Sequence, residues 1–256
     1  MLAKEYKPCN KFPKNWLLSE KFDGYRARYE PQYGFFSRNN NQFHAPDWFI
    51  NIMPDYSLDG ELWAGHDKFQ SLGKIRKNQI TTDDWLDIKY IVYDLPEMDS
   101  VFSERIKKLK EIVNNVQKKW IVNKKKLGDK YSQLECPIVF AKQIPIESKK
   151  HLNSLYNNIL QNNGEGVIIK NPNSYYEDCR SDNMIKYKPI FDAEAIIIDY
   201  KESSNPKLKI GAFICSPLIN YGDYSVINNK MTITIPGINN EISSDPDITH
   251  PIGSVI

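Results

Sequence analysis

The chain is poor in the features that would assign it to a disulfide, metal-cluster or membrane class. Its 256 residues include only four cysteines and four histidines. Cys9, Cys136, Cys179 and Cys215 lie far apart, with no C-x-x-C pair and no zinc-ligand spacing, so they read as isolated reduced thiols. His44, His66, His151 and His250 are equally scattered and suggest no metal cage. The N-terminal Met1-Leu-Ala-Lys-Glu-Tyr-Lys-Pro lacks the apolar segment of a signal peptide, and no apolar run approaches membrane-spanning length. A soluble, intracellular protein without a membrane partner is expected. A strong charge of either sign is also missing. With a formal net charge of +2, any affinity for a polyanion must come from local patches.

What is present is the balance of a globular protein: 41% apolar and 26% charged residues, in a length that fits two ordinary domains. Trp16 to Ser19 reads as a strand running into Glu20-Lys21-Phe22-Asp23-Gly24, and Tyr25 to Tyr29 as the returning strand of a hairpin. Gly24 would stand at the corner, where a positive φ is easiest for glycine. Phe35-Phe36, Tyr56 to Trp63 and Tyr90 to Leu95 read as further strands, with a bend or bulge at Asp59-Gly60. From Phe102 the period changes to that of a helix, with Ile106, Leu109, Val113, Val116 and Trp120 on one face and several lysines opposite. A second helix spans Leu152 to Leu160, with Gly164 near its C-cap. Val167 to Lys170 and Met184 to Lys188 are strands, the second with Lys186 and Lys188 on one face. Beyond Asp192 the pattern is all-β, with strands at Glu194 to Tyr200, Ile210 to Cys215 and Lys230 to Ile235. A small barrel of the OB type is expected there, cut short because Ile252 to Ile256 looks like a strand just beginning.

Chemistry concentrates at Lys21-Phe22-Asp23-Gly24-Tyr25-Arg26. A lysine attacks phosphorus only as the neutral amine, so this one needs cations or burial around it. Asp59-Gly60-Glu61 and Gly164-Glu165-Gly166 each bring an acid to a strand end, and Lys186 and Lys188 add cations. One nucleophile, two or three carboxylates and several cations form the inventory of a phosphoryl-transfer site, where catalysis is mostly positioning and charge neutralisation.

In order and identity these pieces resemble the covalent nucleotidyltransferases and, among them, the minimal two-domain ATP-dependent DNA ligases of bacteria and large DNA viruses. Lys21 to Arg26 matches the family's Lys-x-Asp-Gly-x-Arg motif. Ser37-Arg38, Asp59-Gly60-Glu61, Tyr93-Asp94, Glu165-Gly166-Val167 and Lys186-Tyr187-Lys188 match the later motifs in sequence. The flanks Leu62-Trp63-Ala64-Gly65 and Asp192-Ala193-Glu194-Ala195 also agree. The resemblance implies an α+β fold. A nucleotidyltransferase domain, ATP-grasp-like and built of antiparallel sheets with flanking helices, would occupy 1–190, and a partial OB-fold barrel 191–256.

The implied reaction has three steps: lysyl-AMP formation on Lys21 from ATP, transfer of AMP to the 5′-phosphate of a nick, and sealing by the 3′-hydroxyl. The resemblance also implies roles for single residues. Tyr93 would stack on adenine, Ser19 would sit near its amino group, and Glu61 and Arg26 would hold the ribose. Arg38, Lys186 and Lys188 would meet phosphates, and Asp23 and Glu165 would serve Mg²⁺, with Mn²⁺ as a substitute. Arg28 and Lys170 are surface charges or, near the site, contacts to the duplex backbone. Nicked duplex DNA bound by a monomer is the expected partner.

The family's closing basic motif has no counterpart before Ile256, so a fragment, or a short form weak in self-adenylation, is expected. RNA ligase, mRNA-capping guanylyltransferase and a non-catalytic nick-binding remnant stay open as alternatives. Arg26, the Asp-Gly-Glu-Leu-Trp run and the Asp-Ala-Glu-Ala run favour DNA ligase over them.

Overall fold

The computed structural model describes residues 1–6, 12–76, 82–189, 195–202, 210–221, 224–227 and 233–236. The chain divides into two compact units, Met1–Pro189 and Ile190–Ile256.

Two sheets build the first unit. One has the strand order β1 (Leu2–Glu5), β11 (Arg180–Tyr187), β10 (Val167–Lys170), β2 (Leu17–Glu20) and β9 (Ile144–Pro145). The other has the order β5 (Gln42–Phe43), β4 (Gly34–Ser37), β3 (Tyr25–Glu30), β6 (Leu58–Trp63), β7 (Lys89–Asp94) and β8 (Ile138–Phe140). The expectation of antiparallel sheets needs correcting at two edges, because β1 runs parallel to β11 and β8 runs parallel to β7. Strand β1 is polar and short, and nothing in its pattern announces it.

The expected hairpin is also corrected. Strand β2 pairs with β9 and β10, whereas β3 pairs with β4 and β6, so Lys21 to Gly24 cross from one sheet to the other. Gly24 is not among the positive-φ glycines. It is required by crowding instead, since a Cβ there would meet the Leu62 carbonyl oxygen at 2.3 Å.

Each sheet packs one face on a helix. Helix α1 (Phe102–Asn123) buries Leu109, Ile112, Val113, Val116 and Trp120 against Tyr90, Val92, Leu62 and Ala27 of the second sheet. Helix α2 (Lys149–Gln161) buries Leu152 and Tyr156 on Leu18, Val167 and Ile169 of the first. Burying such side chains contributes about 1.5–3 kcal/mol each. Ser148 caps α2 by accepting from the His151 N–H at 3.1 Å. The far end closes differently from the expected glycine cap. Asn163 takes the left-handed conformation (φ 62°), and Gly164 and Asn163 donate back to the Ile159 and Leu160 carbonyls at 2.9 and 3.0 Å. That is a Schellman ending with Asn in glycine's usual place.

In the second unit β12 (Ala195–Glu202), β14 (Tyr224–Ile227) and β15 (Ile233–Pro236) all pair antiparallel with the long β13 (Ile210–Tyr221). Three of these overlap the expected strands, and β14 is additional. Asp192 to Glu194 and Ile252 to Ile256 lie outside the described residues. No helix among the described residues is long and apolar enough to cross a membrane.

Candidate active site

The faces of the two sheets that carry no helix line one cavity of about 310 Å³. On the first sheet the register sets Ser19 opposite Ile168 and Ile168 opposite Lys186, so all three share a face. On the second sheet Arg26 stands opposite Glu61. Ser19, Lys21, Arg26, Arg38, Glu61, Tyr93 and Lys186 all line this cavity. Lys188, Asp23, Glu165 and Arg28 do not.

Lys21 is fixed by its backbone. It leaves β2 with its N–H donated to the Gly166 carbonyl at 2.9 Å. Gly166 has a φ of +148°, and a Cβ would come within 2.4 Å of the Tyr187 carbonyl oxygen. Only glycine satisfies both the conformation and the space. The side chains follow the backbone: Lys21 Nζ donates to Glu165 Oε2, and Lys188 Nζ reaches Glu165 Oε1 at 3.5 Å. Asp23 is exposed nearby, with its carboxyl pushed upward by partial desolvation and by the charge of Glu165.

Tyr93 owes its place to a bulge. Asp59 pairs with Asp94 and Gly60 with Val92, which leaves Tyr93 as the extra residue on β7. The irregularity expected at Asp59-Gly60 is therefore real, but the unpaired residue belongs to the partner strand. Bulges of this kind re-aim side chains beside active sites. Burial, foremost, and the carboxylates of Asp59 and Glu61 raise the Tyr93 phenol well above its ordinary range. Glu61 is pushed up to about 8, chiefly by desolvation, because it faces the cavity and not bulk solvent.

Around these lies a network of charges. Arg26 donates from Nε and Nη2 to the two carboxylate oxygens of Asp59 at 3.0 and 2.7 Å, and from Nη1 to the Met1 carbonyl at 2.6 Å. Tyr176 donates to the same Asp59 at 2.9 Å. Behind Tyr93, the buried Asp94 accepts from Arg105 Nε at 2.6 Å and Nη2 at 3.1 Å, and from Lys170 Nζ. Burial works against an ionised Asp94, but Lys170 and Arg105 outweigh it and hold the carboxyl below its usual range.

Comparisons with known proteins identify the family. Residues 1–188 match the ATP dependent DNA ligase domain. The chain belongs to the ATP-dependent DNA ligases. It is 28% identical over 246 residues to a DNA ligase of Haemophilus influenzae, covering 94% of this chain and 78% of that one. Its fold is similar to that of a Lig E DNA ligase studied for DNA binding with a minimal scaffold, with a TM-score of 0.74 and 22% identity over 100% of this chain and 89% of the other. It is also similar to the Chlorella virus DNA ligase–adenylate, at a TM-score of 0.57 and 18% identity over 92% and 83% of the two chains. Family membership selects DNA ligase over the RNA-ligase and capping readings that shared motifs leave open.

In this ligase two expected placements change. Lys170 is no surface charge: it is 5% exposed, ion-paired to Asp94, 4.2 Å from the centroid of the Phe102 ring, and lines the cavity. Lys186 and Lys188 do not both lie on the strand, because β11 ends at Tyr187, and Lys188 Nζ stands 3.5 Å from Glu165 while Lys186 lines the cavity. Arg28 stays on the solvent side, bridged to Glu30 and Glu97. Arg105, Tyr176 and Gln143 were missed. Arg105 carried a signal, since a lone arginine on the apolar stripe of a helix needs a buried partner. Tyr176 and Gln143 sit in polar loops, where local pattern says nothing of where a side chain ends up.

Proposed function

We propose that this ligase seals nicks in duplex DNA through a lysyl-AMP on Lys21, followed by a 5′-adenylated DNA. One observation carries the reading: the candidate nucleophile shares a single cavity with an aromatic ring, an acid–arginine pair and cations on its walls. Tyr93 offers its ring to adenine and Ser19 its hydroxyl near the amino group. Glu61 and Arg26 hold the ribose, while Arg38, Lys186 and Lys188 meet the phosphates. Lys21 Nζ attacks the α-phosphorus, the bond to pyrophosphate breaks, and a P–N bond forms. A 5′-phosphate oxygen at the nick then displaces the lysine, and the 3′-hydroxyl finally displaces AMP. That a ligase of similar fold was solved as its adenylate supports the first step.

The family's Mg²⁺ suits Asp23 and Glu165. No group of three or more His, Cys, Asp or Glu side chains gathers among the described residues, but Mg²⁺ commonly takes only one or two carboxylates and completes its shell with phosphate oxygens and water. Partial burial, and then the charge of Glu165, raise Asp23, and a bound cation would ease that repulsion. When bound, the ion would neutralise phosphate charge, and Mn²⁺ would substitute. Because Lys21 Nζ donates to Glu165, the amine must leave that carboxylate and give up a proton before it can attack.

The second unit reads as part of an OB-type barrel that helps a monomer hold the nick, with Arg28 among the backbone contacts. Incubation with α-labelled ATP and Mg²⁺ followed by a denaturing gel tests the first step. Label on the wild type and none on Lys21→Ala is expected. If neither carries label, a pre-adenylated nick is decisive. Sealing there would confine the defect to self-adenylation, and no sealing would leave a non-catalytic nick binder.

A further inference from the structure

The pairing of β2 with β9 places one more residue at the nucleotide site. Leu17 faces Pro145 and Leu18 faces Ile144. Gln143 immediately precedes β9, and one further step in that antiparallel register would set it opposite Ser19. Since Ser19 faces Ile168 and Ile168 faces Lys186, that step would extend the row Ser19–Ile168–Lys186 to Gln143. All four residues line the cavity. Lys186 marks the phosphate side of this row, so Gln143 lies at its opposite end.

The amide of Gln143 is oriented. Its Nε2 donates to the Ala141 carbonyl at 3.0 Å, and Ala141 is buried. A carbonyl cannot accept from the amide oxygen, so the bond fixes which end of the amide faces Ala141. Oε1 is left on the other side, with no donor to it among the described residues. Gln143 and Ser19 both line the cavity, so its wall carries an amide held by its nitrogen with the acceptor Oε1 uncommitted.

We infer that Gln143 is a specificity-determining residue that selects the purine by accepting a hydrogen bond from the 6-amino group of adenine. Guanine would present O6 there, setting acceptor against acceptor. A purine without a 6-substituent would leave Oε1 unpaired. The inference rests on the reading of this cavity as the nucleotide site.

The test uses the full chain and follows lysyl-nucleotide formation by intact-mass spectrometry, with ATP, purine riboside triphosphate and GTP as separate substrates. Wild type should use ATP about tenfold better than purine riboside triphosphate, the value of one neutral hydrogen bond. Gln143→Leu should bring that ratio to within about twofold by slowing ATP alone, and should narrow the margin over GTP. Gln143→Ala should behave alike, which separates loss of the acceptor from any crowding of Ser19 by leucine. An unchanged ratio, or an equal fall with both nucleotides, would overturn the inference and leave Gln143 a structural residue. If the wild type forms no adduct with any triphosphate, the same ratios are read from the equilibrium Kd of each triphosphate instead, and no preference for ATP there would overturn the cavity reading and this inference with it.

Discussion

Arg105 reaches from helix α1 to grip both carboxylate oxygens of Asp94, one residue beyond Tyr93, with neither side chain more than 1% exposed. It also donates from Nη1 to the carbonyls of Ser100 and Ser174 at 2.6 and 3.0 Å. Helix, strand and loop are thus tied together immediately behind the residue proposed to stack on adenine.

Removing one partner of such a pair strands a buried charge, while the pair itself is of modest net worth. Arg105→Met, which keeps the aliphatic stem, is expected to lower stability by about 3–5 kcal/mol in urea unfolding. Arg105→Lys should recover little, because an ammonium cannot reproduce the two-pronged contact or reach both carbonyls. A loss below about 1 kcal/mol for the Met variant would mean that Lys170 alone sustains Asp94.

Gly166 joins conformation to catalysis. Its φ of +148° and the 2.4 Å approach a Cβ would make to the Tyr187 carbonyl leave no room for alanine. Gly166→Ala should cost about 1–3 kcal/mol in stability and shift the carbonyl that receives the Lys21 N–H. Misplacing a nucleophile by an ångström costs on the order of a hundredfold, so lysyl-AMP formation should fall far more than stability does. Equal adenylation rates for variant and wild type at a temperature where both are folded would separate the Gly166 anchor from the chemistry.

Much of this was legible in the sequence because the pertinent residues obey local periods. The stripe Leu109, Val113, Val116 and Trp120 announced α1, and the motif order brought Lys21, Glu61, Tyr93 and Lys186 to one cavity. What misled was pairing. Two strands four residues apart read as a hairpin, yet β2 and β3 enter different sheets, a choice made by distant partners such as Ile168 and Gly60. Burial of Lys170 was equally hidden, since its charge is balanced by Asp94, 76 positions away. Strand β1 could not be read at all. Its parallel partner, β11, lies at the other end of the unit.

The grip on DNA should depend on salt. Net charge is only +2, so binding to a nicked duplex must draw on local cations such as the exposed Arg38 and Lys188. Counterion release then dominates affinity, and Kd for a nicked duplex should weaken at least about tenfold between ~50 and ~200 mM salt. Measured by anisotropy on Lys21→Ala to prevent turnover, an unchanged Kd would exclude a phosphate-based grip.

Glu61 supplies a pH signature. Desolvation carries its carboxyl to about 8, against 4.5 when unperturbed, with Lys21 the first neighbour to oppose the shift. Between those values the folded state keeps a proton that the unfolded chain has released. Stability drawn from neutral Glu61 is therefore full below about 4.5 and lost progressively as pH rises towards 8. A neutral isostere escapes that loss. Relative to wild type, Glu61→Gln should gain about 2 kcal/mol between pH 5 and pH 8.5, allowing for water that enters the cavity and softens the penalty. Denaturant unfolding of both proteins across that range gives the difference directly. A difference that stays flat with pH would mean that Glu61 ionises in the folded protein as easily as in water, with Lys21 and Arg26 fully offsetting its burial.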